Sequence, residues 1–294
     1  FGVRDGKGGL SEDKLSNLAA LDQVKMFEIK LSQGAKPGKG GMLPGEKVTA
    51  EIANIRGLKI GEDAISPNRH HERNDNGDLL DMIYRVRHVT NKPTGFKAVI
   101  SSSDWLDQLF GLINERGLEY APDFITVDSS DGGTGAAPMS LMDDMGLPIK
   151  ESLPMLIDKL VEHGLRDRIK VNASGKLINP TEVAWALCLG TDFVSTARGP
   201  MFALGCIQAL QCNKNTCPTG IATHDKDRQK GLVVEDKQVK VAHYIKNLEK
   251  ELRILSNSCG VKRPRDLTRQ HARMVVQFGK SVTLDELYPS TAKN

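Results

Sequence analysis

The run Phe124-Ile125-Thr126-Val127-Asp128-Ser129-Ser130-Asp131-Gly132-Gly133-Thr134-Gly135-Ala136-Ala137-Pro138 joins two unlike halves. Residues 124–127 are apolar and β-branched, which suits a strand. Residues 128–138 are polar and glycine-rich, a turn that hands the chain to a helical stretch near 153–163. The same unit recurs on both sides. Upstream, residues 24–30 read as a strand in which Met26, Glu28 and Lys30 face one way and Phe27 and Ile29 the other. A strand at 96–100 then leads to a helix from 104 to about 115. Downstream, a strand at 169–173 precedes a helix with Asn179 as cap, Pro180 in its first turn and Glu182 near its start. A last strand at 193–195 leads through a turn at 196–200 into another helix. Alternation of this kind means a parallel sheet with helices packed outside it. Five strands are counted, and a closed barrel needs eight. Two architectures fit: an open doubly wound sheet, or the C-terminal five strands of a (β/α)8 TIM-type barrel whose first three lie upstream of Phe1. The glycine-bearing turns after the last two strands, Ser174-Gly175 and Arg198-Gly199, stand where barrels hold phosphate and favour the barrel.

Around this series, residues 1–22 begin with a glycine-rich turn and a short helix capped by Ser11. Helices are expected at about 48–58 and from Asp78, where Leu79, Leu80, Ile83 and Val86 form one stripe. Residues 65–77, with His70-His71, have no apolar period and read as a loop. Residues 230–285 are polar and read as mostly helical. The expected division is a barrel portion over 1–223, carrying a thiol loop at 205–220, and a C-terminal helical extension over 224–294 packed on it. With 294 residues the chain can bury a substantial core. Lys+Arg 40 against Asp+Glu 37 gives +3, too balanced to suggest nucleic acid or an anionic membrane as partner. Cysteine usage is low and the clustered trio is odd in number, so a reducing, cytoplasmic setting is expected over a disulfide framework. No apolar run is long enough to cross a bilayer, and no signal peptide is evident.

That trio lies in Gly205-Cys206-Ile207-Gln208-Ala209-Leu210-Gln211-Cys212-Asn213-Lys214-Asn215-Thr216-Cys217-Pro218-Thr219-Gly220, spaced Cys-x5-Cys-x4-Cys. Structural zinc usually draws on two separated knuckles, each with about two or three residues between its sulfurs, and neither a second pair nor a histidine pair follows. Three thiolates on one loop suit an iron–sulfur cluster, and a trio leaves one cubane corner free, which fits a three-iron core. The alternative is three ordinary reduced thiols, some buried as small hydrophobes.

Loops at the C-terminal ends of parallel strands share one face, so the other candidates are expected to gather there. Gly132, Gly133 and Thr134 let backbone N–H groups approach a flat or anionic ligand. Ser174, Gly175 and Lys176 with Arg198 and Gly199 make a candidate phosphate cradle. Lys30 at a strand end must find an anion or shift its pKa, with Gln33 and Lys36 close behind it. His70-His71 and Asp143-Asp144 read as loop-packing or solvated residues, because neither has a ligand pattern.

Taken together, three of these motifs resemble the synthase domain of the FMN-binding glutamate synthase family: Lys30-Leu31-Ser32-Gln33-Gly34-Ala35-Lys36-Pro37-Gly38, Asp131-Gly132-Gly133-Thr134-Gly135-Ala136, and the thiol loop ending Cys217-Pro218-Thr219-Gly220. They occur in the family's order and span residues 24–223. The chain looks most like the stand-alone members, without an attached amidotransferase. The resemblance implies an FMN-binding β/α barrel beside a three-iron, four-sulfur (3Fe-4S) cluster held by Cys206, Cys212 and Cys217. It implies an oxidoreductase acting on CH–NH2 donors, in which 2-oxoglutarate and ammonia give 2-iminoglutarate and reduced FMN delivers hydride to make L-glutamate. Lys30, Gln33 and Lys36 would lie near the flavin and the substrate carboxylates. Gly132, Gly133 and Thr134 would border the ring, and Ser174, Gly175, Arg198 and Gly199 would face the FMN phosphate. Electrons would come from a donor such as ferredoxin or an NAD(P)H-oxidising subunit, and ammonia from a separate amidotransferase. Where the family reads Asp-Gly-Gly in the phosphate turn, this chain reads Asn172-Ala173-Ser174-Gly175. Two further readings remain: a related flavin enzyme with another amino donor, as in N-methylglutamate synthesis, or a non-catalytic, cluster-bearing electron-transfer subunit.

Overall fold

The computed structural model describes residues 2–36, 41–131, 133 and 135–289. In chain order, α1 (Glu12–Ala19) leads to β1 (Phe27–Lys30). The crossover that follows carries a small lobe, in which β2 (Met42–Leu43) pairs antiparallel with β3 (Ala64–Ile65) around α2 (Ala50–Arg56), and it ends in α3 (Asn76–Thr90). Strands and helices then alternate as β4 (Thr94–Ala98), α4 (Ser103–Arg116), β5 (Phe124–Asp128), α5 (Ile149–Glu162), β6 (Lys170–Ser174), α6 (Pro180–Cys188), β7 (Phe193–Ser195) and α7 (Arg198–Leu204). Past the thiol loop lie α8 (Lys226–Gln229), the long α9 (Val234–Ser258), an antiparallel hairpin of β8 (Arg273–Gln277) and β9 (Lys280–Thr283), and α10 (Leu284–Leu287). The extension is therefore not helical throughout.

The order of the main sheet decides between the two architectures. It is β1-β4-β5-β6-β7, every pair parallel. A doubly wound sheet reverses its strand order part-way to place helices on both faces. Here each crossover steps to the next position in one direction, and right-handed crossovers then put every helix on one face. The two faces differ accordingly. Ile29, Phe96, Ile125, Val127, Val171 and Ala173 are buried against the helices in one large core. The alternate positions Glu28, Lys30, Lys97, Thr126, Asp128, Asn172, Ser174 and Ser195 form a polar face, as the lumen of a barrel does. The chain thus holds five consecutive strands of a (β/α)8-type barrel.

Local rules explain most elements and most departures. Asn179 and Glu182 form the reciprocal capping box at α6 that their spacing predicts. The stripe Leu79, Leu80, Ile83 and Val86 is buried on α3. β4 starts and ends two residues earlier than expected, and at its end the Val99 N–H leaves the ladder to donate to Ser32 Oγ at 2.9 Å. α5 starts at Ile149 rather than near 153. Its first N–H donates to Asp131 Oδ2 at 2.5 Å, so the glycine-rich turn supplies the cap that Pro148 cannot. Among the described residues no helix is long and apolar enough to cross a membrane.

Candidate functional site

The polar face is organised in two rows. Lower down, Thr126 donates to Glu28 Oε2 at 2.6 Å, and Asn172 Nδ2 reaches Thr126 Oγ1 at 3.3 Å and Ser195 Oγ at 2.9 Å, so four strands are tied across. At the strand ends Asp128 is the hub. Its carboxylate pairs with Lys97 at 3.3 Å and accepts from Ser174 Oγ at 3.3 Å and from the Gly34 N–H at 2.9 Å. Lys30 opens onto the same mouth. Burial, and then the neighbouring Lys97 ammonium, push its pKa down, against the opposing pull of Asp128. Of the two outcomes expected for Lys30, an anionic partner or a shifted pKa, the shift is the one seen, since Asp128 pairs with Lys97 instead.

Gln33 and Lys36 follow in the loop beyond β1, and Lys36 is buried. This loop packs directly on the turn after β5. A Cβ on Gly34 would stand 1.6 Å from the Ser129 carbonyl oxygen, so only glycine permits the approach. Gly133 carries the same junction, close to Ala35, and its carbonyl accepts from Arg198 Nη2 at 2.9 Å. Gly132 and Thr134 lie outside the described residues.

A cleft of about 410 Å³ opens beside this junction. Its walls include Gly133, Ser174, Gly175 and Arg198 on one side and Cys206, Cys212 and Cys217 on the other. Two candidate groups read separately from the sequence thus share one cavity, while Lys30, Gln33 and Lys36 flank it rather than line it. Gly199 is packed against α9, where an added Cβ would meet the Tyr244 hydroxyl at 2.0 Å, and that hydroxyl donates to the Ile178 carbonyl at 2.6 Å. α7 begins at Arg198 on the cleft wall and has no side-chain cap. Thr196 Oγ1, on the wall beside it, is buried without a partner among the described residues. An orphan donor beside uncapped helix N–H groups is the chemistry a phosphate requires. The other expected donors are engaged elsewhere: Ser174 with Asp128, and Lys176 with Asp143 at 3.0 Å.

All three cysteines of the thiol loop are free and half-buried. Burial pushes the Cys217 thiol up, but the Thr219 hydroxyl and the N–H groups of Ala222, Thr219 and Ile221 outweigh it and bring it to about 7. Among the described residues no three His, Cys, Asp or Glu side chains gather closely enough for a single metal ion. A multi-iron core makes a different demand, since each thiolate bonds its own iron, and three unpaired thiols around one cleft fit that donor set. Sequence reading missed Lys47, which is buried with Nζ donating to the Cys212 carbonyl at 2.5 Å and the Ala222 carbonyl at 2.8 Å. It also missed Lys97, Asp128, Thr196 and Tyr244. For Lys97 and Asp128 a signal existed, since both occupy lumen-facing positions at strand ends.

Comparison with known proteins gives the lineage. Residues 1–262 match the conserved region in glutamate synthase. The chain belongs to the glutamate synthase family. It is 42% identical over 287 residues to a Bacillus subtilis glutamate synthase large subunit-like protein, YerD, covering 98% of this chain and 54% of that protein. It is 36% identical over 262 residues to the archaeal glutamate synthase [NADPH] of Methanocaldococcus jannaschii, covering 88% and 49%. It therefore spans about half the length of these relatives. Among solved structures, a flavocytochrome b2 mutant with benzoylformate superposes with a TM-score of 0.48 at 16% identity, covering 87% of this chain and 49% of that one.

Proposed function

We propose that this glutamate synthase family chain carries the FMN and iron–sulfur half of an oxidoreductase acting on CH–NH2 donors, making L-glutamate from 2-oxoglutarate and ammonia. The observation that carries the reading is the one cleft walled by the β6 and β7 turns and by all three cysteines of the thiol loop, with the Thr196 hydroxyl on its wall unpartnered among the described residues. FMN, when bound, supplies the hydride that reduces 2-iminoglutarate. Cys206, Cys212 and Cys217 would hold the 3Fe-4S cluster, which would supply single electrons.

The chain's own residues have separable tasks. Thr196 and the backbone N–H groups of Arg198 and Gly199 hold the phosphate, with Gly175 on the wall beside them. Arg198 fixes the Gly133 carbonyl and so sets the turn against which a flat ring lies, bordered by Gly132, Gly133 and Thr134. Lys30, Gln33 and Lys36 bind the two carboxylates, for which cations and amide donors are the matching chemistry. The lowered pKa of Lys30 makes its proton easier to release toward substrate, and Lys97 beside it adds positive charge where a reduced flavin gathers negative charge. Relatives whose names specify NADPH or ferredoxin point to electron donors of that kind, and a separate amidotransferase would deliver ammonia.

The test is an absorption spectrum of the protein purified without oxygen, followed by product analysis. Flavin bands with a broad brown shoulder, and glutamate formed from 2-oxoglutarate plus ammonia, are the expected result. N-methylglutamate formed only from methylamine would reassign the amino donor. Photoreduced flavin that no 2-oxo acid reoxidises would leave an electron-transfer subunit, and a colourless protein would end the reading.

A further inference from the structure

We infer that Lys47 is the positioning residue of the thiol loop and the fixed counter-charge for the anionic centre its cysteines hold; the second half alone rests on the iron–sulfur reading above. Lys47 closes the 3₁₀ turn Gly45–Lys47 in the small lobe between β1 and α3. The turn is fixed before the side chain leaves it: the Gly45 N–H donates to Asp63 Oδ1 at 2.6 Å, and the Lys47 N–H donates to the Pro44 carbonyl at 2.9 Å. From there the side chain runs into the protein, 7% exposed, and its ammonium reaches carbonyls 165 and 175 residues away. The rest of the loop is tied mainly to its own neighbourhood, as where Thr223 Oγ1 donates to the Asn215 carbonyl at 2.6 Å and Gln229 Nε2 to the Thr223 carbonyl at 2.9 Å.

Both acceptors are neutral carbonyls. They satisfy the donors but carry no charge, and among the described residues no carboxylate forms an ion pair with this ammonium, an arrangement that costs free energy unless an anion lies close by. The acceptor residue Cys212 is itself one of the three thiols around the cleft, and thiolates bound to a sulfide-bridged iron core make that anion. An ammonium beside such a centre favours its more negative, reduced state and so raises its reduction potential. The lobe also belongs to the same crossover as Lys30, Gln33 and Lys36, so Lys47 joins the crossover that binds substrate to the loop that supplies electrons.

Three variants separate the two roles. Lys47→Met removes hydrogen bonds and charge, Lys47→Gln keeps a donor without charge, and Lys47→Arg keeps both. Protein purified without oxygen is assayed for iron, for midpoint potential, and, after iron removal, for amide hydrogen exchange over residues 206–223. In Lys47→Met, exchange in the loop should rise roughly tenfold, the worth of one charge-assisted bond. In Lys47→Met and Lys47→Gln the reduction equilibrium should move roughly tenfold toward the oxidised form, about 59 mV for a one-electron couple. Lys47→Arg should restore both. Unaltered exchange in iron-free Lys47→Met, read on soluble, cooperatively melting protein, overturns the positioning role. Unaltered potential in iron-loaded Lys47→Gln overturns the counter-charge role. A wild type that binds no iron removes the centre and with it the counter-charge, while the exchange measurement still decides the positioning role.

Discussion

Thr196 and His70 show how much a single side chain's meaning depends on what folds around it. The Thr196 hydroxyl is buried at the cleft wall with no hydrogen-bond partner among the described residues, a costly state that a bound phosphate would relieve. Thr196→Val keeps the shape and removes the orphan. The deflavinated protein should therefore melt at the same temperature or higher, while FMN affinity falls about tenfold in a fluorescence titration. Unchanged affinity would place the phosphate elsewhere. His70 donates from Nε2 to the Lys30 carbonyl at 2.9 Å, and its Nδ1 accepts from Arg4 Nη2 at 2.6 Å. Burial, partly offset by the Lys30 carbonyl, pulls its pKa below the ordinary histidine value. The unfolded chain then binds the extra proton more readily, so this stability is intact above about pH 6.5 and drains away as pH falls through the lower folded value. His70→Gln should flatten that part of the melting-temperature profile, and parallel profiles for the two proteins would mean that His70 protonation is not linked to folding. Sequence alone placed His70 in a packing loop and could not see that it holds the end of β1. At Gly133 a close approach was legible, since glycine adds no Cβ. Lys47 and Thr196 were not, since an interior lysine and a surface lysine are spelled alike.

Elements were read well where a local rule fixed them and poorly where the signal came from far away. The α6 capping box needs four adjacent residues and was legible in full. The β8–β9 hairpin was not: most of its residues are exposed, so no buried–exposed alternation marks it, and only Gly279 at φ 72° betrays the turn. The start of α5 depended on Asp131, eighteen positions upstream. Within α5, Pro154 has no N–H for the Lys150 carbonyl four residues back. That carbonyl instead accepts from the Tyr288 hydroxyl at 2.9 Å, so the helix's defect is the attachment point of the C-terminal segment. A double-mutant cycle tests the exchange. Tyr288→Phe should cost about 1 kcal/mol in urea unfolding. In a Pro154→Ala background, where the helix recovers its own donor, the same change should cost close to nothing. Equal costs in both backgrounds would show that the two groups are independent.

Taken whole, the molecule has one finished side and one open side. Helices cover the apolar face of the sheet, whereas the polar face and the outer edges of β1 and β7 have no partner strand among the described residues. Near the strand ends that open face is charged, which suits a solvated binding mouth. At the opposite end it is apolar: Met26 and Phe193, on the same side as Glu28 and Ser195, are each 53% exposed. Exposed sheet edges with apolar side chains at the foot of an open face are templates for association. The chain by itself should therefore sediment as a concentration-dependent mixture rather than as a single species. Replacing Met26 and Phe193 together by lysine should shift that equilibrium toward monomer by tenfold or more, since burying one such side chain stabilises by about 1.5–3 kcal/mol. The substitutions lie at the far end of the strands from the cleft, so flavin binding should survive them. A wild-type chain that stays monomeric at every concentration would mean that the edges are protected by twist or by side-chain cover, and that five strands of this barrel form a closed unit.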